Sequence, residues 1–386
     1  MQDKRDEERL KQQVIDIMNE DRLINEQENL PNPQKAGTRK KKNHPVLKTV
    51  GIIAASLLII ILLIVGTKGG RNILYGMAGK FIYSNVNNEE IIKDYEEKGG
   101  SNLEDKALRQ EAYVTNYLIF GIEEFGGARN TDSMMIASVN SKDKSIKLTS
   151  LLRDSYVEIP GYKPNKLNSA YAKGGARLLV DTIELNYKVK IEGYVSVNFN
   201  AFENIVDLLG GVSIELGKEE AKYLNKTNYI SKKSNRNVKP GVNNLNGNQV
   251  MGYVRVRKVK TLGGANNDYG RVVRQQRALA AIFDSYISTK NIFKILPLTK
   301  ECLGYVTTNL TQDQIEKAMA TVVENRISTL DTFRIPVDGA FDAPKKYNGV
   351  GYPLVLDWEE NRIELYQFLY NDTKEEAIEA LASLDQ

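Results

Sequence analysis

Residues 50–65 (VGIIAASLLIIILLIV) carry no charged side chain. With Val46, Leu47 and Gly66 they are long enough to cross a hydrocarbon core of about 30 Å as one helix. Arg39, Lys40, Lys41, Lys42 and Lys48 stand before or at the start of this run, and only the sparser Lys68 and Arg71 follow it. The positive-inside rule then leaves residues 1–45 in the cytoplasm and everything after about residue 67 outside. A buried core helix is the competing reading, and the adjoining basic cluster argues against it. The polar tail ahead of the run is too long for the n-region of a cleaved signal, and no small-residue cleavage motif follows it. The expectation is a single-pass cell-membrane protein with a retained anchor at 46–66 and its N-terminus in the cytoplasm.

The rest of the chain has ordinary globular chemistry. Of 386 residues, 41% are hydrophobic and 26% charged, enough for a sizeable core. A net charge of +4, with no zinc-ligand spacing and no basic repeat, gives no reason to expect nucleic acid as a partner. The single cysteine, Cys302, and single histidine, His44, exclude an intrachain disulfide, a Cys/His metal site and Ser-His-Asp or Cys-His catalysis. Cys302 reads as a small buried hydrophobe. Glycines and a charged stretch make 67–112 a connector, and 113–386 reads as the catalytic domain. Within it a strand at 117–120 ends in Gly121, and 133–139 and 145–150 form a hairpin. Helix 176–187, strand 193–199, a helix from Asn200 to Gly210-Gly211 and strand 212–216 follow. A helix opened by Thr311 and Gln314, a strand at 332–337 and a helix at 358–370 complete the pattern. Alternating strands and helices predict an α/β fold, an α/β/α sandwich around a central mixed β-sheet.

The densest chemistry lies in Tyr253-Val254-Arg255-Val256-Arg257 and Asp268-Tyr269-Gly270-Arg271-Val272-Val273-Arg274-Gln275. The alternation of Val254 and Val256 with Arg255 and Arg257 predicts a strand whose arginines share one face roughly 7 Å apart. Asp268 reads as an N-cap of a helix that would carry Arg271, Arg274 and Gln275 on one side, where the first backbone N–H groups also favour anions. Strand and helix together describe a pyrophosphate receptor; the alternative is that the arginines only solvate a strand face and a helix end. The loop 258–267, with Gly263-Gly264, reads as a solvent-exposed connection.

These motifs, together with Asn116-Tyr117-Leu118-Ile119-Phe120-Gly121, Thr131-Asp132-Ser133, Leu152-Arg153-Asp154-Ser155, Lys166-Leu167-Asn168-Ser169-Ala170-Tyr171 and Leu209-Gly210-Gly211-Val212, resemble the LytR-CpsA-Psr family of Gram-positive cell-envelope proteins. The likeness runs from about residue 116 to 337. It implies a phosphotransferase that moves an anionic glycopolymer from a polyprenyl pyrophosphate carrier onto peptidoglycan, using Mg2+ and arginines for the pyrophosphate and an apolar tunnel for the prenyl tail. The resemblance implies catalytic roles for Arg153 and Arg271, pyrophosphate contacts from Arg153, Arg255, Arg257 and Arg271, and magnesium on Asp132. Asp268 either positions Arg271 or helps deprotonate the acceptor hydroxyl. Two departures stand out: Glu123 occupies the region of the family's usual aspartate ligand, and Asn130 stands where the family places arginine, so that either Arg129 reaches the phosphate from a shifted loop or that contact is missing. Asp132 read by itself would equally cap a turn or pair with Arg129 or Arg153, and Asp154 would pair with a neighbouring cation. A polyprenyl pyrophosphatase and a non-enzymatic regulator that binds envelope lipids are the alternative functions.

Overall fold

The computed structural model describes residues 67–88, 108–125, 128–287, 303–327 and 329–384. The chain divides between Leu62 and Leu63 into two compact units, and all of the described residues fall in the second. The expected anchor at 46–66, the tail at 1–45, His44 and Cys302 lie outside the described residues. Among those described, no helix is long and apolar enough to cross a membrane.

The first half of the unit runs α1 (Lys68–Tyr83), β1 (Asn87–Asn88), β2 (Val114–Phe125), β3 (Ala128–Asn140), β4 (Ser145–Leu151), β5 (Tyr156–Ile159), β6 (Tyr162–Lys166), α2 (Asn168–Tyr187), β7 (Gly193–Asn198) and α3 (Phe199–Leu208). The second half adds β8 (Val212–Leu216), α4 (Lys218–Lys226), β9 (Gly241–Leu245), α5 (Gly247–Arg255), α6 (Asn267–Ile287), β10 (Val306–Thr308), α7 (Gln312–Glu324), β11 (Thr329–Ile335), α8 (Trp358–Tyr370) and α9 (Lys374–Leu384). The central sheet has the order β1-β10-β7-β2-β3-β4-β11. It is mixed, as expected: β2, β3 and β4 form an antiparallel meander, while β7 joins β2 and β11 joins β4 in parallel. Part of the stretch read as a connector is built into this unit, since α1 packs on α7 through Arg71 and Glu324 and β1 pairs with β10 at the sheet edge.

Strand periodicity divides the side chains between two faces. Leu118 and Phe120 of β2 and Met134 and Ile136 of β3 meet Leu178, Leu179 and Ile183 of α2 and Leu365, Tyr366 and Leu369 of α8 in the main core. The opposite face is covered by α3, α5 and α6. Those helices have a core of their own, in which Val206, Val212, Ile214, Leu245, Val250 and Tyr253 pack around the β8–β9 hairpin. None of the buried members of that second core comes from the central sheet.

Two sequence expectations are corrected here. Residues 253–257 form no strand, because Tyr253 to Arg255 are the last residues of α5, Val256 is its C-cap and Arg257 follows it. Asn246 Oδ1 accepts from Gln249 N (3.0 Å) and Gln249 Oε1 accepts from Asn246 N (3.0 Å), so a capping box starts the helix. Buried Val250, Tyr253 and Val254 then recur at helical spacing, and this outweighs the local alternation of valine and arginine. Secondly, α6 begins at Asn267, so Asp268 is a first-turn residue and not the N-cap.

Candidate active site

A β-bulge makes the site. Gly121 pairs with Ser133 and Ile122 pairs with Thr131, which leaves Asp132 as the extra residue of β3. By strict alternation Asp132 and Ser133 would face opposite sides of the sheet. The bulge turns both toward one cup, where they share a wall.

Three guanidinium groups close on Asp132. Arg153, just past the end of β4, places Nη1 2.6 Å from Asp132 Oδ1. Arg257 Nη2 and Arg271 Nη1 approach Asp132 Oδ2 at 3.5 and 3.6 Å. Asp268 lies on the other side, with Oδ1 3.2 Å from Arg257 Nε and 3.5 Å from Arg271 Nη2. Burial opposes the Arg153 charge, yet the hydrogen bond to Asp132 prevails and holds its pKa above the usual value. Arg271 is the reverse case. It is 3% exposed, and burial, with Arg257 and Arg153 adding to it against Asp268, pushes its pKa down to about 10. It is therefore still a cation at neutral pH, and its Nε is buried without a hydrogen-bond partner. A buried cation with an unused donor is suited to receive an anion.

The sequence expectation for Arg274 fails. It is 0% exposed and bonds inward: Nε to Glu220 Oε1 (2.8 Å), Nη1 to Val256 O (3.1 Å) and Nη2 to Val259 O (2.9 Å). Glu220 Oε2 in turn accepts from Gly217 N (2.9 Å) and Leu262 N (3.2 Å). Gly270 is required beside this pair, since a Cβ there would lie 2.9 Å from Ala265 O and 3.0 Å from Arg274 Nη1. Arg274 is thus a positioning residue that ties down the chain on both sides of Arg257. The loop 258–267 is correspondingly a closed turn on α4, with Thr261 buried and its N–H donating to Ala265 O (2.7 Å), not a purely solvent-exposed connection. Asp154 takes the structural role weighed for it, pairing with Lys166 at 2.9 Å.

Two cavities meet at the cup. The polar one, about 300 Å³, is lined by Asp132, Ser133, Tyr229, Val254, Arg255, Arg257, Lys258, Arg271 and Gln275. The apolar one, about 110 Å³, lies between the sheet and α3, α5 and α6 and is lined by Ile119, Phe120, Gly121, Met135, Val197, Phe202, Met251 and Leu279, together with Ser133, Val254 and Gln275. Those last three residues therefore border both cavities. Arg255, the last residue of α5, is exposed on the cup wall. Tyr229 and Lys258 are cup residues that the sequence reading missed. Tyr229 is brought there because Gly252 leaves room for the 229–230 backbone, where a Cβ would come within 2.9 Å; an unusual glycine inside α5 was the available signal. Glu123 and Arg129 sit in the β2–β3 ladder opposite Asn130 and Glu124, and their side chains lie outside the described residues.

As for magnesium, no cluster of three or more His, Cys, Asp or Glu exists among the described residues. Mg2+ at phosphoryl sites commonly takes one or two carboxylates and fills its shell with phosphate and water. Asp132 Oδ2 makes only the long contacts given above, and Asp268 Oδ1 is buried without a hydrogen-bond partner of good geometry. This donor set fits such an ion.

Known proteins resemble this chain in sequence and in fold. The model of the LytR_cpsA_psr family matches residues 80–361. TagU of Bacillus mycoides, a polyisoprenyl-teichoic acid–peptidoglycan teichoic acid transferase by name, is 30% identical over 298 residues, covering 76% of this chain and 91% of the relative. The regulatory protein MsrR of Staphylococcus aureus is 29% identical over 258 residues, covering 66% and 74%. The crystal structure of Bacillus subtilis TagV aligns with a TM-score of 0.51 at 25% identity over 68% of this chain and 99% of that one. TagT with bound octaprenyl pyrophosphate lipid aligns with a TM-score of 0.50 at 24% identity, over 69% and 95%, which is a likeness of fold. With most of its length matched by the family model, and with the mixed sheet and flanking helices of those structures, this chain belongs to the LytR-CpsA-Psr family.

Proposed function

We propose that this protein is a phosphotransferase that moves an anionic glycopolymer from a polyprenyl pyrophosphate carrier to a hydroxyl of peptidoglycan. The observation that carries this reading is the shared wall of the two cavities, formed by Ser133, Val254 and Gln275. A cationic cup opening directly onto an apolar cavity matches a ligand with a charged head and a hydrocarbon tail. TagU, 30% identical over three quarters of the chain, bears a name with a polyisoprenyl-linked teichoic acid as donor and peptidoglycan as acceptor, which supports the reading.

In the reaction the acceptor oxygen bonds to the polymer-side phosphorus, the bridging P–O bond breaks, polyprenyl phosphate leaves, and the hydroxyl proton passes to a base. Charge builds on the phosphoryl oxygens and on the leaving phosphate, so catalysis is largely positioning and neutralisation. Arg271 meets this charge with a pre-desolvated guanidinium, while Arg153 and Arg257 give up part of their hold on Asp132 to do so. Asp268, in contact with both Arg257 and Arg271, acts as their positioning residue. Arg255 and Lys258 add positive charge at the open rim. Asp132, with Asp268 nearby and Glu123 assigned from sequence, would hold a Mg2+ ion, which would supply further neutralisation of the pyrophosphate. An anchor at 46–66 with the N-terminus in the cytoplasm, the topology read from the sequence, would leave the catalytic unit on the side of the membrane where peptidoglycan lies.

The test is to incubate the detergent-solubilised protein with a synthetic polyprenyl-pyrophosphoryl sugar, peptidoglycan oligomers and magnesium, and to weigh the products. The expected result is a covalent sugar-phosphate adduct on peptidoglycan with release of polyprenyl phosphate. Release of the sugar phosphate to water alone would make the protein a pyrophosphatase. Carrier binding without either product would leave a lipid-binding regulator.

A further inference from the structure

Helix α1 (Lys68–Tyr83) exposes a face that the rest of the described unit does not cover. Tyr75 and Gly79 turn inward against α7. Ile73, Leu74 and Met77 lie on the other side, 63%, 40% and 67% exposed, with partly buried Phe81 continuing the stripe at i+8 from Ile73. Large apolar side chains are rarely concentrated in this way on a surface that meets only water. The charged residues of α1 are Lys68, Arg71 and Lys80, all basic. An apolar arc edged by cations, with no acidic residue on the helix, is the composition of helices that lie in a bilayer interface.

The start of the helix supplies a second, independent observation. Thr67 has extended backbone angles (φ −103, ψ 147), and its side chain accepts from Gly70 N at 3.1 Å. The helix therefore begins at a side-chain cap of its own. In sequence the cap Thr67 stands two residues after the uncharged run ending at residue 65, close to where a spanning segment would leave the hydrocarbon. From these features we propose that α1 is an in-plane membrane helix, which seats its Ile73-Leu74-Met77 face in the outer surface of the bilayer. The proposal rests on the reading of 46–66 as a membrane anchor. Seated in this way, α1 holds α7 through Arg71–Glu324 (2.6 Å) and Tyr75–Glu324 (2.8 Å), and through β1 it holds the β10 edge of the sheet. The sheet that floors the apolar cavity would thereby stand at a fixed height above the membrane, and the carrier would need to rise the same distance each time.

The experiment uses the full chain in vesicles of phosphatidylglycerol and phosphatidylethanolamine, with the sole cysteine removed as Cys302→Ser. A polarity-sensitive fluorophore is attached in turn to Ile73→Cys, Met77→Cys and, as an exposed control, Lys233→Cys. Labels at 73 and 77 should shift to the blue and lose intensity when acyl chains are brominated, whereas the label at 233 should do neither. Labels at 73 and 77 that remain as wet as the control, in a chain that resists alkaline carbonate extraction, would overturn the in-plane helix and leave the anchor reading intact. A chain that alkaline carbonate removes, with both labels wet, would overturn the two together. Shielding that vanishes as protein is diluted among lipids would show a second copy of the chain on this face and would also refute the proposal.

Discussion

Replacing Arg274 with Ala removes a cation that is 0% exposed and strands Glu220, itself 1% exposed, in the same interior. The bond at 2.8 Å between Arg274 Nε and Glu220 disappears, together with donations to Val256 O and Val259 O. Breaking one partner of a buried pair costs about 3–5 kcal/mol, because the remaining charge stays desolvated. For a unit of this size each kcal/mol lowers the melting temperature by roughly 2–4 °C, so Arg274→Ala should melt roughly 6–20 °C below wild type. Trp358, the only tryptophan, packs edge-on to Tyr187 at 5.3 Å in the main core and reports the transition by its fluorescence. Replacing both charges as Glu220→Gln with Arg274→Met should recover much of the loss, since no unpaired charge is left. Activity should fall in Arg274→Ala even below its melting range, because the carbonyls that hold the chain around Arg257 lose their donor. An unchanged melting temperature combined with loss of pyrophosphate binding would refute this reasoning and return Arg274 to the phosphate-binding role that its sequence position suggested.

Arg271→Ala should lose roughly ten- to a hundredfold in kcat/KM, the worth of about 1.5–3 kcal/mol for a charge-assisted contact, while its melting temperature holds or rises because an imperfectly paired buried cation has gone. Arg257→Lys should impair transfer more than Arg255→Lys, since Arg257 touches both Asp132 and Asp268 whereas Arg255 stands exposed at the end of α5; equal losses would contradict the assignment. Met251→Trp should fill the apolar cavity and abolish binding of a long-chain polyprenyl pyrophosphate while sparing that of inorganic pyrophosphate, which isothermal titration can separate. Burial raises the pKa of Glu184, so the folded state holds that proton longer than the unfolded chain. Its contribution is fully present below the unfolded carboxylate range and is lost as pH rises through the raised folded value. Glu184→Gln keeps an acceptor for Ile191 N (2.8 Å) and should flatten that fall in a melting-temperature series against pH.

Elements with a clear period or cap were legible in the sequence. Helix α7 behind Thr311 and Gln314 and helix α8 follow from local pattern, and the structure places them where that pattern does, whereas the strand read as ending in Gly121 runs on to Phe125. The cluster of Asp132, Arg153, Arg257 and Arg271 was legible through resemblance, but its geometry was not. A bulge is one residue of register, and nothing in Thr131-Asp132-Ser133 announces that Asp132 is the unpaired one. The alternation of Val254, Arg255, Val256 and Arg257 misled because each valine is buried for a different reason, Val254 on a helix face and Val256 at the helix exit. Arg274 misled more deeply. Three residues on from Arg271, it falls on the same side of α6 by helical spacing, yet its true partner, Glu220, lies far away in sequence.

The apolar cavity follows from the way the cores are divided. On one face of the sheet Leu118, Phe120, Met134 and Ile136 are filled against α2 and α8. On the other, β2 and β3 offer Gly121 and Ser133 near the cup, residues too small to reach the helices opposite. The covering helices do not need the sheet to bury their apolar residues, because Val206, Val250 and Tyr253 already pack around β8 and β9. A layer that satisfies itself can stand off from the sheet, and the space remains open at its polar end. There the bulge delivers Asp132, and α6 delivers Arg271 from beneath the surface. Arg271, 3% exposed, is withdrawn from water there, and a dry guanidinium is the one whose attraction for an anion is least weakened by water.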